Sequence, residues 1–361
     1  MNVDRVLAAA EPHVTPLAVV DEETMRHNIV AMQELAKTSD ANLRPHAKTH
    51  KSARVARRQI EAGAIGLTVA TLHEAEYFAG SGVTDLLLAH PPVGAVKRRR
   101  LAALASRVER LAVSTDSVEA VEDLPESVDV FWEVDTGLGR VGTPAGTPTV
   151  EAVRDLVDRI GPERLRGLLA HAGHAYRVRE PTERHRIAAE EMAALLETAA
   201  SLHSQGIEVT EISVGSTATA EFAPEIRGAT EMRPGTYVYG DANQVTLGSH
   251  ALEHCALGVV ATVVSIPALD RLIVDAGSKA LSADPPGAGV KGYGMVLGRP
   301  DWTIEWMNEE HGVIRGQGTN IGDRVVIVPA HVCTTVNLHG DVLVALPDGT
   351  SEWEHVVRGW Q

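Results

Sequence analysis

Across the first 245 residues, short apolar runs of strand length alternate with longer stretches whose apolar positions recur at helical spacing. The strand-like runs fall at 42–48, 66–71, 85–89, 110–114, 128–134, 166–171, 208–214 and 231–238. Between two of them, residues 148–160 open on Pro148 and carry Val150, Val153, Leu156, Val157 and Ile160 on one side. That stretch stops at Gly161. Residues 182–205 open on a Thr182 cap, carry Met192, Leu195, Leu196, Ala199 and Leu202, and stop at Gly206. Eight strands alternating with helices predict a parallel (β/α)8 TIM-type barrel, the alternative for the same rhythm being an open doubly wound sheet. In a barrel, chemistry collects at the C-terminal ends of the strands, which gives every motif a positional test.

Past residue 250 the rhythm changes. "CALGVVATVVSI", "RLIVDAGSKALS", "DRVVIVPAHVCTTV" and "GDVLVALPDG" are β-rich and separated by turns, without convincing helical periodicity. They predict a C-terminal, mainly antiparallel β-domain over 247–361, after a barrel over 16–246, with residues 1–15 free to join the second domain. The Gly/Pro-rich stretch at 282–294 is too long for a simple turn and reads equally as a functional loop or a surface excursion.

Composition narrows the partners. Thirty-three basic against 48 acidic side chains leave a net charge of −15, which argues against a general nucleic-acid or anionic-membrane surface and favours a small-molecule substrate. The one basic run, Lys97 to Arg100, reads as a solvated helix face. Cys255 and Cys333 make no disulfide framework. The N-terminus lacks the apolar length of a signal peptide, and no apolar run spans a membrane, so a cytoplasmic location is expected.

Against that background "LRPHAKTHK" stands out, with Lys48 at the end of the first predicted strand among Arg44, His46, His50 and Lys51. A lysine crowded by positive charge and withdrawn from water is kept neutral enough to form a Schiff base with an aldehyde. The plain alternative is a set of solvated loop side chains. Two further stretches bear on the choice. Gly215-Ser216-Thr217 follows the seventh strand, and Gly235-Thr236 lies near the end of the eighth. Amide and hydroxyl arrays at these two strand ends are where barrels hold phosphate. Together these features point to an aldehyde cofactor that also bears a phosphate, and pyridoxal 5′-phosphate, PLP, fits that description.

Taken together, "RPHAKTHK", "EVDTGLGRVG", "GLLAHAGHAY", "VGSTAT" and "EMRPGTYVYG" resemble the barrel motifs of PLP enzymes of the alanine-racemase fold type. "AHVCTTVNLH" resembles the metal motif of their D-serine dehydratase and D-threonine aldolase branch, and the motifs run in family order from residue 43 to 339. The resemblance implies that Lys48 carries the cofactor and that Arg140 approaches its phenolic oxygen. It sets His171 and Tyr176 beside ring and substrate, with Lys48 and His171 as the catalytic pair. Gly215, Ser216, Thr217, Gly235, Thr236 and the adjoining Tyr237 would surround the phosphate, and Arg233 would face the pyridine nitrogen. A homodimer is implied in the same way.

His331 and Cys333 stand two apart in a strand-like run, which would turn both side chains to one face. Imidazole and thiolate suit zinc, and the resemblance makes them its ligands, with open positions for a substrate hydroxyl. The aldolase branch carries an aspartate where this chain has Cys333, so the thiol, "HAGHAY" and "VGSTAT" lean towards a dehydratase. "TTVNLH" after the cysteine departs from the usual motif. The expectation is therefore a PLP- and zinc-dependent lyase for D-β-hydroxy amino acids that yields a 2-oxo acid and ammonia. Aldol cleavage to glycine and an aldehyde is the first alternative; racemisation and a non-catalytic cofactor carrier lie further off. His46, His50 and His90 remain candidate pocket residues, with Glu310 and His311 of "NEEHG".

Overall fold

The computed structural model describes residues 1–121, 123–287 and 289–360. The first strand, β1 (Leu17–Asp21), is followed by β2 (Asn42–Leu43), β3 (Leu67–Val69), β4 (Asp85–Leu88), β5 (Arg110–Thr115) and β6 (Val128–Asp135). After a short β7 (Thr143–Pro144) come β8 (Leu165–Leu169), β9 (Glu211–Val214) and β10 (Glu231–Met232). Eight of these form one all-parallel sheet in the order β2-β10-β9-β8-β6-β5-β4-β3, with β7 attached to β6. A parallel bridge from His46 to Thr68 joins its two end strands. Ala47 N–H also donates to the Thr68 carbonyl at 2.8 Å, so the ring closes as the predicted barrel. All eight barrel strands coincide with predicted runs, and the helices Thr147–Ile160 and Pro181–His203 with the predicted stretches.

Two strands are much shorter than their apolar runs suggest, and proline is the reason. β2 stops at Leu43 because Pro45 has no N–H for the ladder. Arg44 and His46 still donate to the carbonyls of Met232 and Pro234, but residues 47–50 form a turn. Lys48 thus sits in the turn after the first barrel strand and not at the strand's end. β10 likewise stops before Pro234, and Thr236–Val238 is a 3-10 turn.

The rest of the chain builds a second sheet from β11 (Leu257–Ala268), β12 (Arg271–Val274), β13 (Gly294–Val296), β14 (Thr303–Met307), β15 (Gly312–Arg315), β16 (Arg324–Pro329), β17 (Asp341–Ala345) and β18 (Ser351–His355). Its order is β14-β15-β12-β11-β1-β17-β18, with β16 between β11 and β13. Only the β1–β17 pair is parallel. The strand at Leu17–Asp21 and the helix Val3–Ala10 packed beside it therefore belong with the C-terminal strands. Two short helices interrupt this β-rich half, Ser278–Leu281 and Val332–Leu338.

The apolar core follows the same division. One cluster packs the barrel strands against the helices outside them, around Leu67, Phe78, Trp132 and Val153, and another fills the second sheet around Val259, Ile304 and Ile327. A third joins the two halves. Met25, Ile29 and Val55 of barrel helices meet Ala18, Val20, Val342 and Val356 of the second sheet, with Tyr237, Tyr239, Val332 and Val336 between them. Burying side chains of this size contributes about 1.5–3 kcal/mol each. The cluster seats the helix Val332–Leu338 against the barrel mouth.

Candidate active site

The turn that carries Lys48 carries less charge than its composition suggests. Arg44 is buried, its Nε 2.7 Å from Glu231 Oε2 and its Nη1 2.5 Å from Asp85 Oδ1. Lys51 Nζ lies 2.5 Å from Glu74 Oε1, and the other oxygen of Glu74 accepts the Ala70 N–H at 2.7 Å. Burial holds His46 well below the ordinary imidazole range and takes His50 to about 3, so both rings are neutral at physiological pH. Lys48 is left as the one cationic side chain of the run without a carboxylate partner among the described residues.

Lys48 opens onto a cavity of about 450 Å³ at the C-terminal ends of the barrel strands, shared with Arg140, His171, Tyr176, Ser216 and Arg233. Gly215, Gly235 and Thr236 line the same space, as do His46 and His90. Arg140 stands on the loop after β6, where Asp135 Oδ1 accepts the N–H groups of Gly137 and Gly139 at 2.9 and 3.1 Å. Its Nη2 lies 3.5 Å from Glu133 Oε1. His171 Nδ1 is 3.3 Å from the Gly215 carbonyl. Burial, with the charges of Lys48, Arg233 and Arg140 beside it, brings the His171 imidazole down to about 3. It is therefore neutral at physiological pH. Arg233 donates to Ser213 Oγ and, at 2.6 Å, to the Ala170 carbonyl.

The phosphate-type array is only partly open to the cavity. Gly215 has φ +105, a conformation that suits glycine, and leads into the short helix Thr217–Ala220 capped by Ser216. Thr217 departs from the expectation: its Oγ1 accepts the Tyr237 N–H at 3.1 Å, and its own N–H donates to Tyr176 Oη at 3.2 Å. Tyr237 departs further. Its ring lies in the cluster between the two halves and its hydroxyl accepts from Gln59 Nε2 at 2.9 Å. Neither residue lines the cavity.

A second cavity, about 520 Å³, adjoins the first. Lys48, Ala70 and His90 line both, and Cys333 lines the second. His331 and Cys333 stand at the start of the helix Val332–Leu338 and not within a strand, because β16 ends at Pro329. His331 is the extended residue before the helix and Cys333 lies in its first turn, and the two side chains are hydrogen-bonded. Cys333 is half-buried, and its withdrawal from water pushes its thiol up. The hydrogen bond with His331 and the charges of His331 and Lys48 outweigh this and bring it below the usual range. Burial likewise opposes the His331 charge, but Cys333, Asp241 and Asp284 raise the imidazole well above its ordinary value.

Three residues around this pair carry no obvious signal in the sequence. Thr49 Oγ1 lies 3.2 Å from Cys333 Sγ. Asp284 Oδ2 lies 2.7 Å from His331 Nδ1, which assigns the 282–294 stretch a role as a supporting loop; residue 288 is outside the described residues. Buried Asp241 caps the helix Ala242–Leu247 through Gln244 N–H and also accepts the Val332 N–H at 3.1 Å. "YGDANQ" shows that cap as a motif but not its second partner. Glu310 pairs with Lys279 at the surface, and neither Glu310 nor His311 lines either cavity.

A primary amine, a Gly-Ser turn and a threonine hydroxyl on one cavity are the groups an aldehyde- and phosphate-bearing cofactor requires, so these residues fit PLP. Among the described residues no group of three His, Cys, Asp or Glu side chains forms a metal cage. A half-buried imidazole and a thiol of lowered pKa fit a borderline-soft divalent ion at two positions, with the carboxylate of Asp284 orienting the imidazole.

The chain matches the family model described as the alanine racemase N-terminal domain over residues 20–243. It matches the model of a putative serine dehydratase domain over residues 256–345. It is 37% identical to a D-threo-3-hydroxyaspartate dehydratase from Delftia sp. (strain HT23), over 96% of this chain and 98% of the relative. The solved structure of that enzyme superposes with a TM-score of 0.89 at 33% identity, covering 96% of this chain and 98% of that one. A cysteine-to-alanine variant of it has been solved in a metal-free form. A D-threonine aldolase from Arthrobacter sp. is 34% identical over 96% of this chain and 93% of its own length. A D-serine dehydratase from Dictyostelium discoideum is 30% identical over 91% and 92%. With both family models matched along the chain, and relatives at 30% identity or more over nine-tenths of it, the chain belongs to the D-serine dehydratase and D-threonine aldolase family of the alanine-racemase fold.

Proposed function

We propose that this protein is a PLP- and metal-dependent lyase that converts a D-β-hydroxy amino acid to a 2-oxo acid and ammonia. The observation that carries the reading is the placement of Lys48 and Cys333 on one cavity wall, although they come from different halves of the chain. Lys48 would hold the cofactor and Ser216, Gly215 and Thr236 its phosphate. His331 and Cys333 would hold a divalent ion, zinc by the chemistry of the donors. When bound, the cofactor withdraws electrons from the substrate's Cα and the ion acts as a Lewis acid at the β-oxygen.

The chain's own groups supply the rest. Lys48 Nζ, as a free amine, would take the Cα proton as general base. His171, neutral and fixed beside Gly215, would line the reacting space without adding charge. Cys333 lines the second cavity, so a substrate hydroxyl could reach an ion held by the pair from that side. Loss of water across Cα–Cβ gives an enamine, whose hydrolysis yields the 2-oxo acid and ammonia. We further propose a homodimer acting in the cytoplasm; among the described residues no helix is long and apolar enough to cross a membrane.

A second reading is favoured by the likeness to the Arthrobacter aldolase. The same residues would then serve removal of the β-hydroxyl proton and cleavage of Cα–Cβ. Product analysis of D-threonine separates the two: 2-oxobutyrate supports the dehydratase, glycine with acetaldehyde the aldolase. EDTA is expected to abolish turnover and zinc to restore it. A protein that releases no 2-oxo acid from D-serine, D-threonine or D-threo-3-hydroxyaspartate is not a dehydratase.

A further inference from the structure

The second cavity has a charge pattern that the reaction alone does not require. Beyond Lys48, its wall carries Lys51, Lys97 and Arg100, with Glu74 as the one acidic group. Two of these cations are already answered. Lys51 is paired with Glu74. Arg100 is held by both oxygens of Glu76, at 2.8 and 2.5 Å. Lys97 has no carboxylate or other polar partner for its amine among the described residues, and its side chain is exposed at the cavity edge. The helix Ala95–Ala105, which the basic run opens, is thus not a uniformly solvated face: Lys97 and Arg100 turn to the cavity.

The same wall offers Asn337 and Thr334, on the short helix that carries Cys333. A substrate whose β-oxygen is held at the His331–Cys333 pair would have its remaining Cβ substituent within reach of the cavity that Cys333 and Lys97 share. A methyl or hydrogen there leaves Lys97 unanswered. A carboxylate matches one uncompensated ammonium with one negative charge, and an amide and a hydroxyl supply further donors.

We propose that Lys97 is a specificity-determining residue that selects substrates bearing a carboxylate on Cβ, the D-3-hydroxyaspartate class, over D-serine and D-threonine. This rests on the reading of the site given above, in which the β-hydroxyl is directed to His331 and Cys333. Arg100 and Lys51, each tied to its own glutamate, shape the wall and keep that part of it neutral.

The test is steady-state kinetics of the holoenzyme on D-threo-3-hydroxyaspartate, D-serine and D-threonine, for wild type and for Lys97→Ala, Lys97→Glu and Lys97→Arg. The expected result is a wild-type preference for hydroxyaspartate whose kcat/KM ratio over D-serine falls about 10- to 100-fold in Lys97→Ala. The ratio falls further in Lys97→Glu and largely returns in Lys97→Arg, and the loss in Lys97→Ala is carried by KM. Equal losses on all three substrates overturn the proposal, because Lys97 would then serve the α-carboxylate or the fold. Calorimetric binding of D-aspartate and D-alanine, which lack the β-hydroxyl, keeps the inference separable from the reaction. Tighter D-aspartate binding that depends on Lys97 sustains it even if no substrate is dehydrated. Equal binding of the two ligands to wild type overturns it.

Discussion

Thr49 Oγ1 stands 3.2 Å from Cys333 Sγ, although 284 residues separate the two in the chain. This contact crosses from the turn after the first barrel strand to the helix after β16, one residue from Lys48 on one side and on the proposed metal ligand on the other. As a donor, the hydroxyl favours the thiolate, and Thr49 is one of the groups that lower the Cys333 thiol. Thr49→Val keeps the shape and removes that donor. Zinc affinity, measured by competition with a chelator, is expected to fall about 10- to 100-fold. An unchanged affinity would mean that the hydroxyl does not support the thiolate.

Lys48→Ala removes the only amine of the turn that faces both cavities. Treatment of the PLP-loaded protein with borohydride should fix cofactor to wild type and none to the variant, with turnover lost by several orders of magnitude. The fold should survive, since Lys48 makes no side-chain ion pair among the described residues. Cofactor fixed to the variant would place the attachment on another lysine.

Arg44 is enclosed with Glu231 beneath the barrel mouth, each about 1% exposed. Burial alone would push the Glu231 carboxyl up, but Arg44 and Ser213 hold it below its usual range. Arg44→Leu strands that carboxylate and is expected to cost about 3–5 kcal/mol in urea denaturation at neutral pH. A group with a lowered folded pKa stabilises above its unfolded value and loses that contribution as pH falls through the folded one. The deficit of the variant should therefore narrow in acid, where Glu231 is protonated in either protein. A deficit that stays constant down to acid pH would show that the ion pair is not its source.

Glu191 behaves in the opposite sense. Its carboxyl is buried, which raises it to about 7 despite Arg233 nearby and the Ala172 N–H it accepts at 2.8 Å. A raised folded pKa means a contribution fully present below the unfolded value and lost as pH rises through about 7. Glu191→Gln keeps an acceptor for Ala172 and removes the titration. The variant should match wild type near pH 5, and above pH 8 exceed it by up to about 3 kcal/mol. Parallel stability curves for the two proteins would exclude Glu191 as the titrating group.

The barrel rhythm was legible because strand and helix periods differ and each helix carries its own stop signal, as at Gly161 and Gly206. The site was legible where function coincides with a compact motif, as for Lys48, His171 and Ser216, all on the first cavity. It was not legible where proline ends a strand early, which moved Lys48 into a turn and set His331 and Cys333 on a helix. Nor was it legible where chemistry depends on pairs distant in sequence. Asp284 with His331 and Lys51 with Glu74 leave no local pattern, and the cavity-facing side of Lys97 depends on which way its helix turns. Positive charge around Lys48 was over-read for the same reason, since the carboxylates that answer Arg44 and Lys51 lie elsewhere in the chain.

The apolar cluster of Met25, Ile29, Val55, Val332, Val336 and Val356 has a meaning beyond cohesion. The lysine rides on one half of the molecule and the thiol–imidazole pair on the other, so neither half alone holds a complete set of reacting groups. A tilt of a few degrees between the halves would open the Thr49–Cys333 contact while leaving both sheets intact. Activity in this protein is thereby a gauge of alignment. It should fade on heating before either sheet melts, and a substitution in that greasy seam should act as an attenuator of turnover while every reacting side chain keeps its identity.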